Sequence, residues 1–235
     1  MNDTSRLVNE ALGTLFFVFL GSMAIATAMA TQNNDSLTIA LAWALALAAA
    51  VWAFGGAGAH LNPWVTIGLA LRGVVAWAAV PLIVVAQVLG AFVGALLAWW
   101  LFSSSVGDNA AGAAVTHTNA TGNQLLGAVA AEALVTFVLL CVVFRLIGGT
   151  GWTYGLGYGL TYGLGFLTIG VLTGSSLNLA RTLGAELSLT IADSGSTTWE
   201  DVWVYLIGPA VGVVLAWLFY PRFVRNDVDD RVGVG

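Results

Sequence analysis

The stretch "HLNPWVTIG" at residues 60–68 interrupts a chain that is otherwise mostly apolar. An Asn-Pro pair is turn chemistry, yet it stands here inside hydrophobic sequence. A second stretch, "SLNLARTLG" at 176–184, repeats the outline. After Asn62 the sequence reads "PWVTIGLAL", and after Asn178 it reads "LARTLGAELSL". As helices these runs are each about 15 Å long, half the hydrocarbon core of a bilayer. The spacing predicts two half-helices, each starting at an Asn.

Composition names the solvent. Of 235 residues, 59% are hydrophobic and 8% charged, where a soluble domain carries about a quarter charged residues. Such a chain cannot cover its surface with charge, so lipid must surround most of it. The 29 glycines suit close helix packing in membranes. Cys141 stands alone, which excludes an intrachain disulfide, and no metal-ligand spacing or cofactor motif occurs. Seven Arg and no Lys face twelve Asp plus Glu, for a net charge of −5. The acidic balance argues against nucleic acid as a partner. It points to a halophile's high-salt surroundings, with biased codon usage as the alternative.

Six apolar segments are long enough to span, near 7–29, 37–55, 76–102, 124–147, 152–172 and 200–221. The first reads as a span and not as a cleaved signal peptide. Threaded alternately, they put Arg6, Arg72, Arg145, Arg222, Arg225 and Arg231 on one side; outside the 176–184 break the opposite loops hold no Arg, only the acidic Asp35, Asp108, Asp193, Glu200 and Asp201. The positive-inside rule then expects both termini in the cytoplasm of a multi-pass cell-membrane protein. Trp77, Trp99, Trp100, Trp152, Trp199, Trp203 and Trp217 fall near span ends, where indole prefers the interface. Trp43 and Trp64 do not.

The chain repeats itself. "NEALGTLFF" at 9–17 matches "AEALVTFVL" at 131–139, pairing Glu10 with Glu132 and Thr14 with Thr136. Each half, about 7–102 and 124–221, holds three spans. Three is odd, so the halves are inverted and the two breaks enter from opposite faces. The expected organisation is one transmembrane channel domain over 1–235 with a frayed acidic tail at 226–235. Helix N-termini expose unpaired N–H groups and partial positive charge, which only a water-filled path tolerates in a membrane. Asn62 and Asn178 are expected to cap the half-helices and aim their amide NH₂ groups into that path, where the opposed dipoles repel cations.

This pattern resembles the major intrinsic protein family, the aquaporins and aquaglyceroporins. "GAHLNPWVTIG" is similar to the family's first Asn-Pro-Ala loop and "GSSLNLARTLG" to its second, and Glu10 and Glu132 match its paired buried glutamates. The resemblance implies an all-α membrane protein, a right-handed bundle of six transmembrane helices plus two re-entrant half-helices. It also implies a homotetramer with one pore per subunit. Trp64 and Leu179 depart from the motif, since the family has Ala and Pro there. Carried over by the resemblance, Asn62 and Asn178 form the pore waist, and Glu10 and Glu132 support the loops. Trp43, Phe166, Ser175 and Arg181 form the selectivity filter, with Trp43 and Phe166 facing each other across it. Ordinary packing is the alternative for those two rings.

Filter signals are mixed. Trp43 is glycerol-like, while large Phe166 narrows the passage. Thr182 stands where glycerol channels carry Asp. Tyr205 looks water-type and Leu206 glycerol-type. His60 reads as a structural residue with its carbonyl towards the pore, and His117 as a solvated loop residue. The sequence thus points to a passive water channel that excludes ions and protons. The alternative is a facilitator for glycerol or another small neutral solute. An ion- or proton-coupled transporter, which would need Glu10 and Glu132 at its midplane, and a non-conducting junction protein plugged by Trp64 are further readings. No nucleophile–base pair suggests an enzyme.

Overall fold

The computed structural model describes residues 3–33, 35–55, 58–106, 114–192 and 197–223. Among them are eight α-helices and no strand. They are α1 (Asp3–Thr31), α2 (Ser36–Phe54), α3 (Pro63–Leu71), α4 (Val80–Val106), α5 (Gln124–Leu146), α6 (Gly151–Thr173), α7 (Leu179–Ile191) and α8 (Val202–Phe223). All except α3 and α7 are long and apolar enough to cross a membrane. The acidic residues Asp108 and Asp193, Arg225, Arg231 and the expected frayed tail lie outside the described residues.

Local chemistry sets the helix boundaries. The Asp35 carboxylate caps α2 by accepting from the Thr38 N–H and hydroxyl, and those bonds hold its carboxyl below the usual carboxylate range. Thr150 caps α6 by accepting from the Thr153 N–H. Gly174 ends α6 at φ 66°, the left-handed conformation that glycine adopts without a Cβ penalty. Asn62 and Asn178 cap the two short helices, and Pro63 at the first position of α3 gives up only an N–H that no helical carbonyl would accept.

The two halves pack in the same way. In the first, α1 lies against α4; in the second, α5 lies against α8; and α2 joins α6 across the middle. The half-helices exchange partners, since α3 packs on α8 and α7 packs on α4. Close crossing is enforced by the small-residue motifs "GAFVG" at 90–94 and "GPAVG" at 208–212. A Cβ on Gly94 would sit 2.4 Å from the Leu15 carbonyl oxygen, and one on Gly212 would sit 2.4 Å from that of Ala133. These motifs therefore act within one chain.

Arg72, at the C-terminal end of α3, is buried between aromatic faces. Its guanidinium lies 5.1 Å from the Phe144 ring centroid and 5.3 Å from that of Tyr220. A cation there complements the negative end of the half-helix dipole. The remaining surface is studded with exposed leucines, valines and tryptophans, including Trp77, Trp100, Trp152 and Trp199 near helix ends.

Gly212→Ala is expected to destabilise the protein by about 1–3 kcal/mol through overpacking against backbone. Gly127→Ala, where nothing lies within 4 Å of the added carbon, should be neutral or stabilising. Thermal unfolding in detergent, followed by size-exclusion chromatography, checks the contrast.

Candidate functional site

The segments before α3 and α7 meet at the centre of the bundle. Each turns through a left-handed residue just before its Asn, Leu61 at φ 52° and Leu177 at φ 50°. A non-glycine residue in that region costs about 1–2 kcal/mol, so the surroundings must hold it there. Two buried glutamates do so from the facing long helices. Glu10 accepts the His60 N–H (2.8 Å) and the Leu61 N–H (2.7 Å) on its two oxygens. Glu132 accepts the Ser176 N–H (2.9 Å) and the Leu177 N–H (3.0 Å) in the same manner. Gln87 and Thr173 add side-chain donors to Glu10 and Glu132, respectively.

The asparagines tie the segments together. Asn62 Oδ1 accepts from the Trp64 N–H, and Asn178 Oδ1 accepts from the Ala180 and Arg181 N–H groups. The amide nitrogens reach across: Asn62 Nδ2 donates to the Leu177 carbonyl and Asn178 Nδ2 to the Leu61 carbonyl, both at 2.8 Å. This modifies the expectation that both NH₂ groups point only into a path. One hydrogen of each is committed to the opposite loop, because that loop's turn leaves a carbonyl needing a donor.

Hydroxyls four residues after each Asn complete the symmetry. Thr66 donates to the Asn62 carbonyl and contacts His60 Nδ1 at 3.1 Å. Thr182 meets the Ser176 hydroxyl at 2.5 Å, and Ser176 donates to the Asn178 carbonyl. Arg6 lies 3.3 Å from His60 Nε2. Guanidinium can only donate, so Nε2 accepts and the imidazole proton sits on Nδ1, facing Thr66. The His60 side chain thus makes structural hydrogen bonds, while its carbonyl, expected to face the pore, accepts the Tyr158 hydroxyl. The exposed His117 sits in the segment over Gly174.

Arg181, on the first turn of α7, is buried. Its guanidinium lies 4.5 Å from the Trp43 ring centroid and 5.1 Å from that of Phe166, and its Nη1 donates to the Ser175 carbonyl at 3.4 Å. The four residues expected together are together, but not as expected. Trp43 and Phe166 do not face each other across a gap. Their rings stack, with centroids 5.0 Å apart and planes 13° apart. The reason is placement: α2 and α6 are packed neighbours, so two large residues at their shared end form one aromatic slab. Ring and guanidinium planes touch at about 3.5 Å, so a 4.5 Å centroid distance leaves no water-wide gap between Arg181 and the slab. Trp43 Nε1, Ser175 Oγ and Arg181 Nε are buried without a protein partner among the described residues.

Trp64 is buried in the core, 8% exposed, and its Nε1 also has no such partner. Leu179 is partly buried against the same core.

Sequence reasoning overlooked three tyrosines. Tyr154, Tyr158 and Tyr162 lie one turn apart on α6, and all are fully buried. Their hydroxyls donate to the carbonyls of Ala59 (2.9 Å), His60 (2.9 Å) and Ser176 (2.7 Å). The four-residue spacing in "YGLGYGLTYGLG" at 154–165 was the available signal. Glu186 on α7, buried and hydrogen-bonded to the Thr198 N–H and hydroxyl, was also passed over.

A family model for the major intrinsic protein family matches residues 1–220. The chain belongs to that family. Relatives include the glycerol uptake facilitator protein of Streptococcus pneumoniae, 34% identical with 93% of this chain and 99% of that protein covered. The glycerol uptake facilitator protein of Bacillus subtilis is 32% identical over 93% and 85%. Human Aquaporin-9 is 29% identical over 91% and 80%. Among solved structures, the X-ray structure of the aquaglyceroporin from Plasmodium falciparum matches with a TM-score of 0.82 and 29% identity, covering all of both chains. The fold is that of the aquaporins, and this family member is a multi-pass membrane protein of the channel type that serves small neutral solutes.

Glu10→Gln and Glu132→Gln each leave one acceptor oxygen for two backbone N–H groups and turn an NH₂ towards the second. Each is expected to cost about 1–3 kcal/mol and to lower solute flux, without removing any proton-coupled transport. Thermal unfolding and flux measured with and without a pH gradient check this.

Proposed function

We propose that this protein is a passive channel for small neutral solutes, with glycerol as its main solute and water passing alongside. The observation that carries the reading is the pairing of the Trp43–Phe166 slab with the Arg181 guanidinium and the Ser175 carbonyl. A polyol has an apolar carbon edge and a hydroxyl edge. The slab suits the first, and Arg181 with Ser175 suits the second. Two opposing aromatic walls, together with Thr182 and Tyr205, make the sequence's case for water over glycerol. With the rings stacked, the argument from the walls falls away, and the glycerol uptake facilitators among the relatives favour the polyol.

Trp43, Phe166, Ser175 and Arg181 form the selectivity filter in this reading, Asn62 and Asn178 the waist, and Glu10 and Glu132 the loop supports. Trp64 and Leu179 set the waist's shape. Passage begins when a solute parts Arg181 from the slab, replacing the cation–π contact with its own hydrogen bonds. The two half-helix N-termini face each other and Arg181 adds a full positive charge, so cations meet a barrier throughout. Asn62 and Asn178 donate at the waist and so orient whatever oxygen lies there, which breaks a proton wire. The Arg bias supports a cell-membrane protein with both termini in the cytoplasm, and the family supports a homotetramer in lipid. The acidic, lysine-free composition supports a high-salt habitat.

Proteoliposomes in a glycerol gradient test the reading by light scattering. Glycerol entry should exceed that of protein-free vesicles, and Arg181→Val should admit monovalent cations, which the wild type excludes. Water flux without glycerol flux would overturn the preference for glycerol.

A further inference from the structure

Every main-chain carbonyl in the three residues before each central Asn has a protein donor. Before Asn62, Tyr154 donates to Ala59, Tyr158 to His60, and Asn178 to Leu61. Before Asn178, Arg181 donates to Ser175, Tyr162 to Ser176, and Asn62 to Leu177. Three of the six donors are phenols from one face of α6. None of the six carbonyl-bearing residues, nor Asn62, Asn178, Arg181 or the three tyrosines, is more than 3% exposed. The centre is therefore closed around these bonds.

A solute in a narrow, dry passage must replace the hydrogen bonds it leaves in water. In this protein the natural acceptors along the two loops already carry donors. We propose that Tyr154, Tyr158 and Tyr162 are rate- and specificity-determining residues of the permeation path, whose hydroxyls occupy the loop carbonyls and must be exchanged for those of the solute. The inference rests on the channel reading above. It also names a solute class. A hydroxyl replaces a phenol in kind, giving the carbonyl a donor and offering the displaced phenol an acceptor. Polyols and water can make this exchange. A neutral solute of similar size without O–H or N–H donors cannot.

The physical cost supports that role. Three phenols at successive turns place a column of aromatic surface along both loops, with Tyr154 and Tyr158 bridging to one loop and Tyr162 to the other. Tyr162 also packs edge-on to Phe17 (5.1 Å) and lies 5.9 Å from Phe166, which continues the column to the aromatic slab. Tyr205 is a contrasting case. It is equally buried and donates to the Thr173 carbonyl, outside the six.

Tyr→Phe keeps the ring and removes the donor, so a merely structural hydroxyl and an obstructing one give opposite outcomes. Water and glycerol permeability should be measured in proteoliposomes for the wild type, Tyr158→Phe, Tyr162→Phe, the triple Tyr154→Phe/Tyr158→Phe/Tyr162→Phe variant and Tyr205→Phe. Each is normalised to folded protein by size-exclusion chromatography. Tyr158→Phe and Tyr162→Phe should each raise water permeability about two- to tenfold, the gain from one freed acceptor. The triple variant should raise it further, and Tyr205→Phe should give no gain. Wild-type conduction with unchanged or lower flux in the Phe variants would overturn the inference and leave the channel reading intact. If the triple variant misfolds, the two single variants decide the matter. No flux of water or glycerol through any of the proteins would overturn the channel reading and this inference with it.

Discussion

Two hydrogen bonds hold the structure's logic together: Asn62 Nδ2 to the Leu177 carbonyl and Asn178 Nδ2 to the Leu61 carbonyl. Each joins the cap of one half-helix to the turn of the other. A half-helix ending inside a bilayer leaves backbone groups that lipid cannot satisfy. Here the other half of the chain satisfies them. The carboxylates of Glu10 and Glu132 perform the complementary task, accepting the N–H groups that the same turns point away from the centre. Neither loop is complete alone, which is why the repeat exists as a pair.

From this frame the chemistry at the mouth of α7 follows. Arg181 sits on the first turn because Asn178 caps its backbone N–H, and its side chain reaches Ser175 within the same loop. The aromatic slab comes from a separate pair of long helices, α2 and α6. The Arg181 guanidinium therefore rests on an aromatic surface built by the long helices. The phenol column below uses the same helix, α6, so one element supplies both the slab's Phe166 and the donors that cover the loop carbonyls.

The fold was legible in the sequence because its signals are long-range and redundant. Six apolar runs, two Asn-led breaks and matched Glu10 and Glu132 all point to one architecture. Individual site residues were legible where the chemistry is exceptional in a membrane, as with Arg181 and the glutamates. What escaped was relative orientation. A sequence places Trp43 and Phe166 at corresponding depths but does not say whether they oppose or stack, since that depends on the contact between α2 and α6. The second hydrogen-bond partner of each Asn was equally hidden, because it lies on the other repeat. The tyrosines were missed because buried aromatics in an apolar helix look like packing. Only the carbonyls at their hydroxyls, from loops about one hundred residues away for Tyr154 and Tyr158, reveal otherwise.

The central claim is that the two loops form one coupled unit, and a double-mutant cycle on Asn62→Ala and Asn178→Ala tests it most directly. Unfolding free energy in detergent is measured for the wild type, both single variants and the double variant. Mutual dependence predicts that the second substitution costs much less once the first is made, with a coupling of about 0.5–3 kcal/mol. Additive losses from the two substitutions would show that each loop is held independently and would contradict the account.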